Sequence, residues 1–192
     1  MPASQTDPVT DILAAARRCY LRDGLSGTGM KEVAAEAGIA RSTLYRYFPG
    51  RDELLVATVK QDMEDFNARL AARLARYEQP EDMVVEGLIL AIREIPKRPL
   101  LKAVFASEED SRARRVIWGS DVIVKFGEEL MADVIQPAAA AGILHDEVAP
   151  EVMVEWVYRL LLSFLTLPSN WVRSERELRS TLHALLVPVL LR

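Results

Sequence analysis

The sequence predicts an all-α fold: an N-terminal three-helix helix-turn-helix head joined to a longer helical body, about nine helices in all. Three observations predict it. Apolar residues recur at helical spacing throughout the 192 residues, and no segment sustains the period-2 alternation of a strand. Glycine and proline punctuate the chain where periodic runs stop. Ala37-Gly38-Ile39 lies between two short periodic runs, and glycine there can take the left-handed conformation that ends a helix.

The elements follow in order. Helix one is expected over Pro8–Asp23, with Asp7 as N-cap, Pro8 in the first turn and Gly24 at its end. Val9, Ile12, Leu13, Ala16, Cys19 and Tyr20 share one face of it. Helix two spans about 30–37 and helix three about 41–48, broken by Pro49-Gly50. Helix four runs from Arg51 to about Tyr77, and helix five from about Glu81 to Ile95. A short helix follows near Leu100–Ser107, then one long helix over roughly 111–141, with Pro137 as a point of bending and Gly142 as its end. Helix eight covers about 150–167. Helix nine covers about 174–191, opened by a Ser174/Glu177 capping box and kinked at Pro188.

Composition bounds the function. Half the residues are hydrophobic, so a core forms without disulfides or metals. The single cysteine, Cys19, cannot form an intramolecular disulfide and fits a reducing cytoplasm. It reads as a small buried hydrophobe rather than a redox switch. No N-terminal signal is visible. The densest apolar patch, Leu160–Leu167, is far shorter than the roughly 20 residues of a membrane-spanning helix, so no membrane partner is expected.

The net charge of −4 is unevenly placed. Residues 1–55 hold equal numbers of basic and acidic side chains, so the rest of the chain carries the whole excess. Between Ala37 and Arg51 there are three arginines and no carboxylate. Hydroxyls, tyrosines and arginines on a short braced helix suit insertion into a DNA major groove. A local basic surface on a neutral head fits a DNA contact confined to one end.

Two segments carry a family resemblance. Ile12 to Gly24, ILAAARRCYLRDG, resembles the first helix of tetracycline-repressor-like (TetR/AcrR) regulators, and Thr28 to Leu55, TGMKEVAAEAGIARSTLYRYFPGRDELL, is similar to the rest of their DNA-binding domain. The match keeps register across both segments. Residues 60–192 resemble the family's ligand-binding and dimerisation domain only in helical length and order. Three positions depart from the pattern: Gly29 and Ala40 stand at the usual hydroxyl caps of helices two and three, and Gly50 replaces a common serine before helix four.

The resemblance divides the chain into a DNA-binding domain, 1–50, and a ligand-binding and dimerisation domain, 51–192. It implies a ligand-responsive, sequence-specific regulator of transcription, most often a repressor, that binds double-stranded DNA as a homodimer. Resemblance and local chemistry together mark Thr28, Arg41, Ser42, Thr43, Tyr45, Arg46, Tyr47 and Arg51 as DNA-binding residues. Arg41 suits a bidentate contact to guanine, and Arg51 matches a phosphate-clamping lysine of the family. Leu44 and Phe48 should anchor helix three in the core.

In the body, Phe66, Phe105, Trp118, Phe126 and Trp156 are the expected lining of an effector pocket between helices. Few polar groups interrupt these faces, so the expected effector is a largely apolar small molecule. Apolar stripes on the last two long helices can pack inside one chain or form a four-helix interface between two copies; the resemblance favours the dimer interface, with Trp156, Leu160, Phe164, Leu178, Leu182, Leu185, Leu186 and Val189 in it.

Other classes fit less well. An enzyme would need a nucleophile set, a phosphate-cradling loop or metal spacing, and the sequence shows none. Glu108-Glu109-Asp110 reads as a helix start or exposed loop. His145 and His183 stand far apart without a ligand cluster, so no metal or other cofactor is expected. The remaining alternative is a small-molecule sequestering protein whose head has lost specific DNA binding, which the missing hydroxyls at Gly29, Ala40 and Gly50 keep open.

Overall fold

The computed structural model describes residues 7–105, 111–145 and 147–192. Glu108-Glu109-Asp110 falls outside them. Eleven α-helices occur among the described residues: α1 (Pro8–Asp23), α2 (Met30–Glu36), α3 (Arg41–Tyr47), α4 (Arg51–Leu74), α5 (Pro80–Glu94), α6 (Pro99–Phe105), α7 (Ser111–Trp118), α8 (Val122–Ala140), α9 (Pro150–Thr166), α10 (Glu175–Leu185) and α11 (Val187–Leu190). A 3-10 turn, Ile95–Lys97, joins α5 to α6. The chain divides into two compact units, 1–63 with 99–122, and 64–98 with 123–192. Helix α4 belongs to both.

Local chemistry sets the helix ends. Asp7 accepts from the Val9 amide at the start of α1, and Gly24, at φ 79°, ends it. Ser174 and Glu177 form the reciprocal capping box of α10. The single long helix expected over 111–141 is instead two. The amides of Gly119 and Ser120 turn back to Arg115 and Ile117, and the Ser120 hydroxyl donates to the Ile117 carbonyl, closing α7 before α8 begins. The last helix also divides: Pro188 cannot donate to the ladder, and the chain breaks at Leu186 between α10 and α11.

In the first unit α1 packs on α2 and on α6, and α6 on α7. Ala15, Ala16, Cys19, Val33, Leu44, Leu101, Val104 and Ile117 have no exposed surface there. Burial pushes the Cys19 thiol up, which keeps it protonated and unreactive. Arg17 reaches the buried Asp62 of α4 at 3.0 Å, tying α1 to α4.

In the second unit α5 is central and packs on α9, α10 and α11. Glycines let helices approach closely. A Cβ at Gly87 would meet Leu74 of α4 at 3.3 Å, and one at Gly127 of α8 would meet Val154 of α9 at 2.4 Å. Arg179 of α10 forms a two-point ion pair with Glu86 of α5 and holds its carboxyl below the usual range. No described helix is long and apolar enough to cross a membrane.

Candidate functional site

The head is built around a closed turn. The Ile39 amide donates to Ala34 O at 3.0 Å and the Gly38 amide to Ala35 O at 3.2 Å, with Gly38 at φ 66°. This pair of bonds is the Schellman arrangement, and it fixes the angle at which the chain leaves α2 and enters α3. Leu44 at 0% exposure and Phe48 at 8% hold α3 down. Its other face is bare: Arg41, Ser42, Tyr45 and Arg46 are exposed, and Thr43 and Tyr47 are half-exposed.

Each arginine of α3 rests on a tyrosine. Arg41 donates to the Tyr45 hydroxyl at 3.1 Å, and its guanidinium lies 5.4 Å from that ring's centroid. Arg46 lies 5.3 Å from the centroid of Tyr47. Stacking orients a guanidinium and leaves most of its N–H edge for a base or phosphate. Two acids of the flanking helices α2 and α4 are already engaged. Glu36 accepts from Arg18 at 2.7 Å and from Arg22 at 2.9 Å, and these bonds hold its carboxyl below the usual range. Asp52 pairs with Arg112 at 3.3 Å. The exposed face of α3 therefore keeps its positive charge.

Two expected DNA contacts have other geometry. Thr28 is 1% exposed and its hydroxyl donates to Gly24 O at 2.9 Å, so it serves the α1–α2 turn rather than facing outward. Arg51 donates to Leu25 O, bracing the same turn from the start of α4. A guanidinium has five donors, so Arg51 retains others for phosphate. The α2 and α3 caps at Gly29 and Ala40 make no side-chain hydrogen bond, as their residue types dictate.

The second unit holds an apolar cavity between α4, α5, α8 and α9. Leu74, Leu88, Phe126, Met131, Val154 and Tyr158 contribute to its wall, and it encloses about 50 Å³. Among the described residues, Tyr158 brings the only side-chain oxygen to this wall. Burial pushes its phenol well above the ordinary tyrosine range. Of the expected pocket residues, Phe126 lines the cavity. Phe66 stacks against Phe126 at 6.0 Å between centroids, behind the wall. Phe105 and Trp118 belong to the first unit, the former buried and the latter 37% exposed. Trp156 is 41% exposed on the outer face of α9 and takes no part in the wall. Leu74, Met83, Leu88 and Met131 are not among the pocket residues expected from the sequence; two of them lie in the apolar stretches of α5 on either side of Glu86-Gly87.

The expected dimer stripe splits in two. Leu178, Leu182 and Leu186 are buried inside the chain, because that face of α10 lies on α5. Leu185 at 67%, Val189 at 51% and Trp156 at 41% face outward, and Leu160 and Phe164 are half-exposed. His183 approaches Asp82 at 3.6 Å, and His145 meets the Pro188 carbonyl at 3.2 Å; the two rings lie in separate settings.

The close approach at Gly127 gives a test of the cavity wall. Alanine there gains about 1 kcal/mol of helix preference. Its Cβ would sit 2.4 Å from a methyl of buried, β-branched Val154, and such overpacking costs about 1–3 kcal/mol. Gly127→Ala should therefore lower the melting temperature, and adding Val154→Ala should recover part of the loss. A stabilised Gly127→Ala would contradict the packing of α8 on α9.

A Schellman-closed helix pair presenting an acid-free helix defines a helix-turn-helix DNA-binding regulator. The comparisons agree. Residues 12–58 match the model for bacterial regulatory proteins of the tetR family. An uncharacterized HTH-type transcriptional regulator of Mycobacterium tuberculosis is 27% identical, over 98% of this chain and 89% of its own length. Among solved structures, a tetR family transcription regulator from Shewanella covers 97% of this chain and 100% of its own, at TM-score 0.66 and 21% identity. RolR in complex with resorcinol covers 95% of this chain and 87% of its own, at TM-score 0.68 and 16% identity. The chain thus carries a tetR-type DNA-binding segment over residues 12–58 and, over nearly its whole length, the fold of these regulators.

Proposed function

We propose that this regulator is a cytoplasmic repressor that binds a near-palindromic operator as a homodimer and is released by a small, largely apolar molecule. The observation that carries the reading is the outward face of α3, where Arg41 and Arg46 stack on tyrosines with no described acid to neutralise them. Residues 1–50 form the reading head. Arg41, Ser42, Thr43 and Tyr45 reach base edges, while Arg46, Tyr47 and Arg51 hold phosphates. Residues 51–192 receive the effector and pair the two copies.

The cavity supports the effector half of the reading. Its wall is apolar but for Tyr158, and resorcinol, the ligand of RolR, is likewise a small aromatic molecule. About 50 Å³ is far less than the roughly 300 Å³ or more of a typical ligand site, so an effector must spread the helices. Helix α4 contributes Leu74 to that wall and starts at Arg51, directly after the head. Over 24 residues it is roughly 36 Å long, so a small tilt at one end becomes a displacement at the other. The coupling needed is on the order of 1–3 kcal/mol.

Pairing falls to the outward residues of α9 to α11. Leu185→Asp with Val189→Asp should yield a monomer in sedimentation with an unchanged melting profile for its secondary structure, since both side chains are exposed in the single chain. The monomer should bind a two-half-site duplex far more weakly than the parent. A dimer that survives both substitutions contradicts this assignment. For the function as a whole, an operator duplex is titrated with the protein and then with candidate aromatic and aliphatic compounds. Specific binding reversed by one of them supports the reading; compound binding without any preferred DNA site would favour the sequestering alternative.

A further inference from the structure

The second unit carries a polar recess distinct from the apolar cavity. Arg69 and Arg73 stand one helical turn apart on α4, and Arg98 follows the 3-10 turn. With Phe66, Leu70 and Glu94 they line a space of about 80 Å³. Glu94 is the only carboxylate among these residues, and it is heavily shared. One of its oxygens takes Arg73 at 3.3 Å, Arg93 at 3.2 Å and Lys97 at 3.2 Å. Burial raises the Glu94 carboxyl, but those three bonds outweigh it and leave the group below the usual range, hence ionised. Arg69 has no ion-pair partner among the described residues. Three arginines and one carboxylate thus line the recess, on a chain whose net charge is −4.

Arg98 is held against an aromatic ring, which favours recognition over solvation. The Arg98 guanidinium lies 5.5 Å from the centroid of the Phe66 ring. Phe66 is 3% exposed and stacks on Phe126, which lines the apolar cavity. Side chains therefore connect the charged recess to the cavity: guanidinium, ring, ring, cavity. Planar guanidinia around a small space match the forked oxygens of a carboxylate or phosphate. The space suits one such group and little more.

We propose that the recess of Arg69, Arg73 and Arg98 is an anion subsite, which takes the carboxylate or phosphate of an amphipathic effector whose apolar part displaces the Phe66–Phe126 stack and enters the cavity. This deepens, and rests on, the reading of the second unit as the effector-binding body. It also changes the effector class from purely apolar to apolar with one anionic end. The same event supplies a route to α4, which carries Phe66, Arg69 and Arg73.

The test is calorimetric titration of the full chain, at fixed ionic strength, with octyl phosphate, octanoate, octan-1-ol and inorganic phosphate. Octyl phosphate or octanoate should bind at least roughly tenfold tighter than octan-1-ol, and whichever is tighter names the anion. Arg69→Gln and Arg98→Gln should each erase most of that preference and leave octan-1-ol binding as it was. Arg69 is exposed, so its variant should keep the parent's circular dichroism and melting temperature. Equal binding of all octyl compounds, or a preference that survives both substitutions, overturns the subsite but leaves an apolar effector site standing. Inorganic phosphate binding more tightly than octyl phosphate overturns the link to the cavity. No binding of any octyl compound to folded protein overturns the subsite together with the body reading beneath it.

Discussion

Leu44→Ala should destabilise the head by about 2–5 kcal/mol, measured by urea unfolding, and abolish specific DNA binding at ordinary temperatures. The size follows from how α3 is held. A helix of 7 residues is not stable alone, and Ala40 gives it no side-chain cap. Its position therefore depends on what it buries, and Leu44 is its one fully enclosed side chain, at 0% exposure. Removing that side chain leaves a cavity under the surface that reads DNA, with only Phe48 beyond the helix end still anchoring α3. Arg46→Ala, on the exposed face of the same helix, should cost less than about 1 kcal/mol of stability. If the two substitutions destabilise equally, α3 is not anchored as described.

Arg41→Ala should weaken binding to the preferred site by about 1–3 kcal/mol, roughly 5- to 150-fold, and relax base preference at one position in each half-site. Arg41 is held by the Tyr45 hydroxyl at 3.1 Å and by the ring below it, so little freedom is lost when it meets a base. Arg51→Ala should behave differently. It should weaken binding across all sequences and flatten the dependence on salt, since a phosphate contact releases counterions without reading sequence. It should also lower stability, because the Arg51 bond to Leu25 O is lost. Competition binding against a panel of single-base operator variants separates the two. An Arg41→Ala protein with unchanged affinity and preference would place some other residue at the groove.

Much of the fold was legible because its signals are local. Asp7, Gly24, Gly38 and the Ser174/Glu177 pair each act within a turn of their own position, and all behave as their chemistry dictates. The division of 111–141 into α7 and α8 was not legible. Apolar spacing continues across Gly119-Ser120-Asp121, and the break coincides with the passage of the chain from one compact unit to the other, which is a tertiary event. The head's outward face was readable from residue type. Thr28 was not, since a threonine hydroxyl suits a phosphate and a backbone carbonyl equally well, and Gly24 O lies within its reach. In the body, large side chains were a poor guide. Trp156 shares an outward face of α9 with Val152, whereas the cavity is lined mostly by aliphatic side chains from four helices, with Phe126 and Tyr158 among them. The leucines of α10 were recognised as apolar, but which of them meet α5 depends on rotation of the helix by part of a turn.

The central claim is that α3 reads a specific sequence, twice, in a dimer. Selection of bound duplexes from a random pool at near-physiological salt, followed by sequencing, tests it most directly. The account predicts an inverted repeat whose half-sites are about one helical turn, or a multiple of one, apart. Recovery of no motif from folded, dimeric protein, both with and without an anionic amphiphile present, would contradict it.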